Sequence, residues 1–254
     1  VDGVYTPARK RIWNVQVDMG CYEGARLSVP SVLYPTIQSG IDAAADGDWV
    51  FVAPGTYTGS GNKNLTMNGK RLLLFGDDMS GKVVIDCENS GRAIDFSSGE
   101  TWESIMLGFT IKNGSAANGG AIYCNGASPT ILDCAMIDNV ASGSGGAVYC
   151  SNACPTIIDC LMENNQAGTS GSGGGGGVYA ISGSAPRLVN CTLTNNFSQF
   201  SGGGIRSHAS SSRWTIVNCI VYDNTAATAP AQIMAEGNTL TAHYCCCLLY
   251  TSPS

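Results

Sequence analysis

Residues 119–139 read GGAIYCNGASPTILDCAMIDN, and the way this stretch repeats decides the fold. Its opening phrase, Gly-Gly-(Ala/Gly)-(Ile/Val), returns at Gly119, Gly145, Gly175 and Gly202, spacings of 26, 30 and 27 residues. A second phrase follows each time: PTILDC ending at Cys134, PTIIDC at Cys160, PRLVNC at Cys191 and WTIVNC at Cys219. Each unit then closes on an asparagine, at Asn139, Asn165, Asn196 and Asn224, and one more coil upstream ends at Asn113. The longest unit carries its extra residues in the glycine-rich stretch 170–177, so length variation is confined to a loop, as stacked repeats require.

Within a unit, Ile122 and Cys124 flank Tyr123, and Val148 with Cys150, Val178 with Ala180 and Ile205 with Ser207 take the same slots. Alternation of period two turns these pairs inward and the residues between them outward. In the second phrase the inward set is Ile131, Cys134 and Met136, so the alternation slips by one residue and a corner is expected there. Glycine and β-branched residues dominate and helix formers are few, which rules out helical hairpins. The expected fold class is all-β: a solenoid of three-strand coils whose successive coils pair in parallel about 4.8 Å apart. Ahead of the repeats, residues 34–45 (YPTIQSGIDAAA) place Ile37, Ile41 and Ala44 at helical spacing behind Pro35 and Thr36. That pattern predicts a short helix capping the open edge of the first coil, followed by a strand and turn over residues 48–57.

Composition agrees. With 44% hydrophobic residues in 254 the chain can build a continuous core, and 33 glycines with only 13% charged residues suit many turns around buried strands. A net charge of -6, with 13 Lys and Arg scattered along the chain, excludes a nucleic-acid footprint. No apolar run approaches the roughly 18 residues of a membrane span. The partner expected is a polysaccharide or a host or cell-surface glycan, and the chain is expected to be monomeric within a larger protein.

The helix followed by Pro54-Gly55-Thr56-Tyr57, and the coils after it, resemble the pectin-lyase-like superfamily over residues 29–246. The resemblance implies a right-handed parallel β-helix. The GGAI phrase and the hydrophobic-x-x-Asn phrase are also similar to the repeats of chlamydial polymorphic outer-membrane proteins, which implies surface adhesion; Met136, Met162, Leu193 and Val221 stand where that family has phenylalanine. Both resemblances imply an extracellular or cell-surface location, with any export signal upstream of Val1. Residues 1–28 are expected to be the end of a preceding β-helix domain or a linker, because DMGCYE at 18–23 resembles the closing phrase of bacterial tandem β-helix proteins. Residues 29–246 are expected to form the β-helix domain, truncated at its C-terminus, and residues 247–254 (CLLYTSPS), which resemble a translated sequencing adapter, are expected to stand outside it.

Two inward columns follow from the register. Asn139, Asn165, Asn196 and Asn224 are expected to form a structural ladder, because asparagine tolerates a left-handed corner and its amide can bond identically along a stack. Cys134, Cys160, Cys191 and Cys219 share a second register, and Cys124 and Cys150 a third, among twelve cysteines. Stacked Cβ atoms about 4.8 Å apart do not suit a disulfide, which wants about 3.8 Å, so reduced thiols packed as small hydrophobes are expected. Cys150 and Cys154 are the best candidates for one local bridge. With no CxxC, and His208 and His243 as the only histidines, no metal is expected.

Tyr123, Tyr149 and Tyr179, with Arg206 completing the row, are expected to face outward as the ligand-binding set. Exposed rings would stack on sugar faces and Arg206 would pair with a uronate carboxylate, although rings that merely stack on one another fit the sequence equally well. Catalysis has less behind it. A resemblance to pectate lyases would imply an aspartate cluster for calcium and an arginine base, and one to polygalacturonases would imply NTD, GHG and RIK phrases; neither set is present, and Asp77-Asp78 is the paired acid. Elimination from a uronide needs a base near the C5 proton and a cation at the carboxylate, for which the local candidates are Tyr179, Arg206 and His208. The reading is a secreted or cell-surface module, non-catalytic and without cofactor, that serves adhesion, glycan binding or structure. The alternative is a polysaccharide lyase or glycoside hydrolase acting on uronic-acid polysaccharides, the one reading under which calcium enters.

Overall fold

The structure, a computed structural model, describes residues 24–77, 82–168, 173–208, 213–228, 230–236 and 239–247. The DMGCYE phrase, Cys21, Asp78 and residues 248–254 lie outside the described residues. Strands wind into a parallel solenoid. One coil runs through Ile122–Asn125, Thr130–Leu132, Ala135–Ile137 and Val140–Ala141, and the next through Val148–Ser151, Thr156–Ile158, Leu161–Glu163 and Gln166–Ala167. Stacked coils make parallel sheets of nine, eight, seven and five strands. The register is strict from coil to coil, as in Ile122 to Val148 to Val178 to Ile205. The five-stranded sheet is an addition to the three expected: the chain makes a two-residue strand after each ladder asparagine before it reaches the Gly-Gly turn.

Local chemistry explains each bend. Asp133 has φ 49°, and this left-handed step lets Cys134 face inward three residues after Ile131, which accounts for the slip in alternation. Gly119 needs φ 62°, while Gly120 needs space: a Cβ there would lie 2.3 Å from the Gly146 carbonyl oxygen of the next coil. The Gly-Gly turns therefore stack backbone on backbone.

The helix α1, Ile37–Ala43, caps the first coil. Thr36 and Ser39 form a reciprocal capping box, and Ile37 and Ile41 are fully buried against the strands Arg26–Val29, Trp49–Val52 and Leu65–Thr66. Arg26–Val29 pairs with Trp49–Val52, so the nine-stranded sheet starts ahead of the boundary expected at residue 29. At the far end Cys246–Cys247 pairs with Ile220–Val221, so Cys247 takes part in the last described strand pairing. A single core cluster extends from Leu27 to Val221. Among the described residues no helix is long and apolar enough to cross a membrane.

Candidate functional site

The seven-stranded sheet presents its outer face through one column of register partners: Thr66, Asp95, Tyr123, Tyr149, Tyr179 and Arg206. Ile122 and Cys124 on either side of Tyr123 are fully buried, so the tyrosine side chains stand on the outer side as expected. Their orientation differs from expectation. The Tyr123 and Tyr149 rings lie 5.2 Å apart and 2° from parallel, and those of Tyr149 and Tyr179 lie 5.6 Å apart at 13°. The faces thus look along the solenoid at each other, and only ring edges are turned to solvent. The guanidinium of Arg92 covers the free face of Tyr123 at 4.4 Å. A strip of open aromatic faces for sugar stacking is therefore absent, because identical side chains in parallel register gain more by stacking on their neighbours.

Tyr179 departs further, being only 5% exposed. The glycine-rich loop of the longest coil lies over it: a Cβ on Gly175 would sit 2.9 Å from Tyr179 Cβ, and one on Gly174 would sit 2.4 Å from Arg206 Cδ. Arg206 consequently runs beside this loop, with its Cζ 6.0 Å from the Tyr179 ring. His208, two residues on and half-buried, places its ring 6.5 Å from that of Tyr179. The three candidates for catalysis are brought together, with the tyrosine enclosed. Burial pushes the Tyr149 hydroxyl above its ordinary pKa, and the neighbouring Tyr123 and Tyr179 add to the shift.

At the cap end the column drops from tyrosine to short side chains, leaving a polar hollow that sequence reading missed. Asn64, Thr66, Arg92, Asp95 and Ser97 line a space of about 430 Å³, which adjoins a second recess bordered by Gln38, Asp42, Lys63 and Asn68. Arg92 Nη1 donates to Asp95 Oδ2 at 3.3 Å, while Asp95 Oδ1 is buried without a hydrogen-bond partner. Burial lowers the Arg92 pKa, and the Asp95 charge works against that shift. The signal was available: carrying the Tyr123 register back two coils lands on Asp95 and then Thr66.

Inside the solenoid, Asn139, Asn165, Asn196 and Asn224 stack as buried amides. Each Nδ2 donates to the next Oδ1 at 2.9 Å, and that oxygen also accepts the backbone N–H of the same asparagine, at 3.1, 3.0 and 3.0 Å. Gln232, which the repeat gives no reason to single out, closes the end by accepting from Asn224 Nδ2 at 2.9 Å. The left-handed conformation belongs to the preceding residues, Asp138, Asn164, Asn195 and Asp223, and not to the ladder asparagines as expected. Cys134, Cys160, Cys191 and Cys219 stack at the neighbouring corner, joined by Cys245, and all ten cysteines whose side chains are described are free thiols. The Cys150 to Cys154 bridge does not form, because Cys150 is buried and Cys154 is exposed. Among the described residues no three His, Cys, Asp or Glu side chains converge as metal ligands.

The sequence model of a family described as "Right handed beta helix region" matches residues 110–254. Among solved structures, a pectin methylesterase from carrot is similar at a TM-score of 0.48 with 10% identity, over 87% of this chain and 82% of that one. No curated protein matches the chain.

Proposed function

Since the chain belongs to the right-handed β-helix family, we propose that it serves as a non-catalytic module of a secreted or cell-surface protein, holding a polysaccharide along the outer face of its seven-stranded sheet. The observation that carries this reading is the stacked pair Tyr123 and Tyr149, whose ring edges face outward 5.2 Å apart, with the enclosed Tyr179 continuing the stack beneath the glycine-rich loop. The stacked faces hold the column together, which leaves the phenol hydroxyls to meet the ligand as donors and acceptors. Asn125 and Ser151 run beside it on the same outer face and add a second polar row. A linear polymer that advances about one sugar per coil meets the same phenol contact on the two coils of Tyr123 and Tyr149.

Affinity electrophoresis in gels containing dissolved polysaccharides tests the reading. The wild-type chain should be retarded, and the Tyr123→Phe, Tyr149→Phe double variant should lose most of that retardation with its melting unchanged, since phenylalanine keeps the stack and removes the hydroxyls. Retention unaltered by the double variant would sink the role of the column. Unsaturated uronides or new reducing ends accumulating over time would replace the reading with the polysaccharide-cleaving alternative.

A further inference from the structure

We infer that the polar hollow at the cap end of the tyrosine column is a subsite for a neutral sugar ring. The inference rests on the polysaccharide reading above and adds to it a location and a charge class for the ligand. The hollow exists because Thr66 and Asp95 occupy, in register, the positions that tyrosines fill in the next coils. The floor falls where the rings end, and Arg92, backed by Tyr123, becomes a wall. At about 430 Å³, the space lies within the range of small-ligand sites.

Its chemistry suits hydroxyl groups. Asp95 Oδ1 is an acceptor without a donor. Thr66 Oγ1 accepts from the Asn68 backbone N–H at 3.2 Å, which leaves its own hydrogen to donate, and Asn64 uses its Oδ1 on the Arg92 backbone N–H, which leaves its Nδ2 to donate. Ser97 is exposed at the rim. Each hydroxyl of a pyranose both donates and accepts, so a mixed set of this kind matches vicinal hydroxyls better than an all-donor or all-acceptor set does.

Charge decides against an acidic ligand. Arg92 in the hollow is held by Asp95, and Lys63 in the adjoining recess by Glu88 at 2.9 Å, so each cation already faces a carboxylate. Asp42 adds a further negative charge and is engaged only by the amides of Gln38 and Asn68 among its side-chain contacts. A uronate entering here would displace Arg92 from Asp95 or face two carboxylates, and either arrangement is costly. A neutral sugar meets neither penalty, in contrast to the uronate expected at Arg206.

Gels containing neutral β-glucan, xylan or mannan, run beside gels containing polygalacturonate or alginate, test the inference on the wild type and on Thr66→Val, Ser97→Ala and Asp95→Asn. Retention on a neutral polymer and not on the acidic ones is expected, weakened about tenfold by Thr66→Val, which removes a donor to the ligand, and by Asp95→Asn, which leaves a single acceptor oxygen to serve both Arg92 and the ligand. Thr66→Val keeps shape and strand preference, so an unchanged melting temperature isolates binding even if Asp95→Asn folds poorly. Preferential retention on polygalacturonate or alginate overturns the inference. So does neutral retention that survives all three variants and is lost in the Tyr123→Phe, Tyr149→Phe chain, an outcome that leaves the proposed function standing. No retention on any polymer removes the proposed function and this inference with it.

Discussion

The solenoid turns two neighbouring corners by the same backbone device and fills them with different chemistry. At one, Asp133, Asp159, Asn190 and Asn218 take φ between 49° and 54°, each followed by an inward cysteine; at the other, Asp138, Asn164, Asn195 and Asp223 take φ between 52° and 56°, each followed by an inward asparagine. The bonding is parallel as well. Cys134 N–H points at Cys160 Sγ at 3.4 Å and Cys160 Sγ reaches the Ile131 carbonyl at 3.7 Å, just as Asn139 N–H meets Asn165 Oδ1 at 3.1 Å and Asn165 Nδ2 meets the Met136 carbonyl at 2.9 Å. What differs is strength and valence. The amide offers a strong acceptor and two donor hydrogens, enough to link coils side chain to side chain, whereas the thiol offers one weak bond of each kind. The two corners therefore separate what the backbone requires, a left-handed residue and a small inward group, from what the amide adds.

Alkaline titration should separate the corners most, because thiols ionise and amides do not. Burial holds the Cys160 thiol well above its ordinary value and pushes that of Cys87, outside the ladder, up to about 12 from 9.0. A thiol whose folded pKa is raised favours the folded state fully below the unfolded value and loses that contribution as pH rises through the folded value. Stability should fall between about pH 9 and about pH 12, with Cys87 contributing on the order of 4 kcal/mol. Urea midpoints at pH 7, 9 and 11 check this, and a Cys160→Ser chain should lose less over the same interval. A flat profile would mean that the thiols are not buried as described.

At neutral pH the order reverses, and the asparagine corner is the one that should not be disturbed. Asn165→Leu leaves the Asn139 N–H and side-chain amide without their acceptor and the Met136 carbonyl without its Asn165 donor, a cost of about 3 kcal/mol. Cys160→Ala removes only weak sulfur contacts at 3.2 to 3.7 Å and a small volume, about 1 kcal/mol. Equal losses of denaturation free energy in the two variants would show that the corners are held by packing alone.

Much of this was legible in the sequence because it is periodic. The Gly-Gly phrase, the inward pairs and both ladder registers recur unit by unit, and the slip between Ile131 and Cys134 already implied a corner. Three things were not legible, for three reasons. Asp138 and Asn139 are both residue types that tolerate a left-handed conformation, so pattern alone could not say which adopts it. Alternation tells which side of a sheet a tyrosine occupies but not its side-chain torsions, so open faces and a closed stack looked alike until the 2° angle between Tyr123 and Tyr149 was seen. The hollow lies in coils whose strand Leu65–Thr66 is only two residues long and lacks the repeated phrases, so it shows only when the Tyr123 register is carried back beyond the repeats to Asp95 and Thr66.

The finest distinction between the paired corner positions is a test of backbone against side chain at adjacent residues. Asn164 carries the left-handed φ of 56°, while Asn165 carries the ladder amide. If those roles are separate, Asn164→Gly should leave stability within about 0.5 kcal/mol of wild type, because glycine adopts the conformation without steric cost even though it gains entropy in the unfolded chain. Asn164→Ala should cost about 1 kcal/mol, since alanine keeps the Cβ that crowds the carbonyl in this conformation and lacks the polar side chain that compensates for it. At residue 165 the same pair of substitutions should rank differently: both remove the amide, so both should be as damaging as Asn165→Leu or nearly so, and glycine should give no relief. Thermal melts of the four single variants decide the matter. Rescue by glycine at 165, or no rescue by glycine at 164, would return the left-handed role to the ladder asparagine itself.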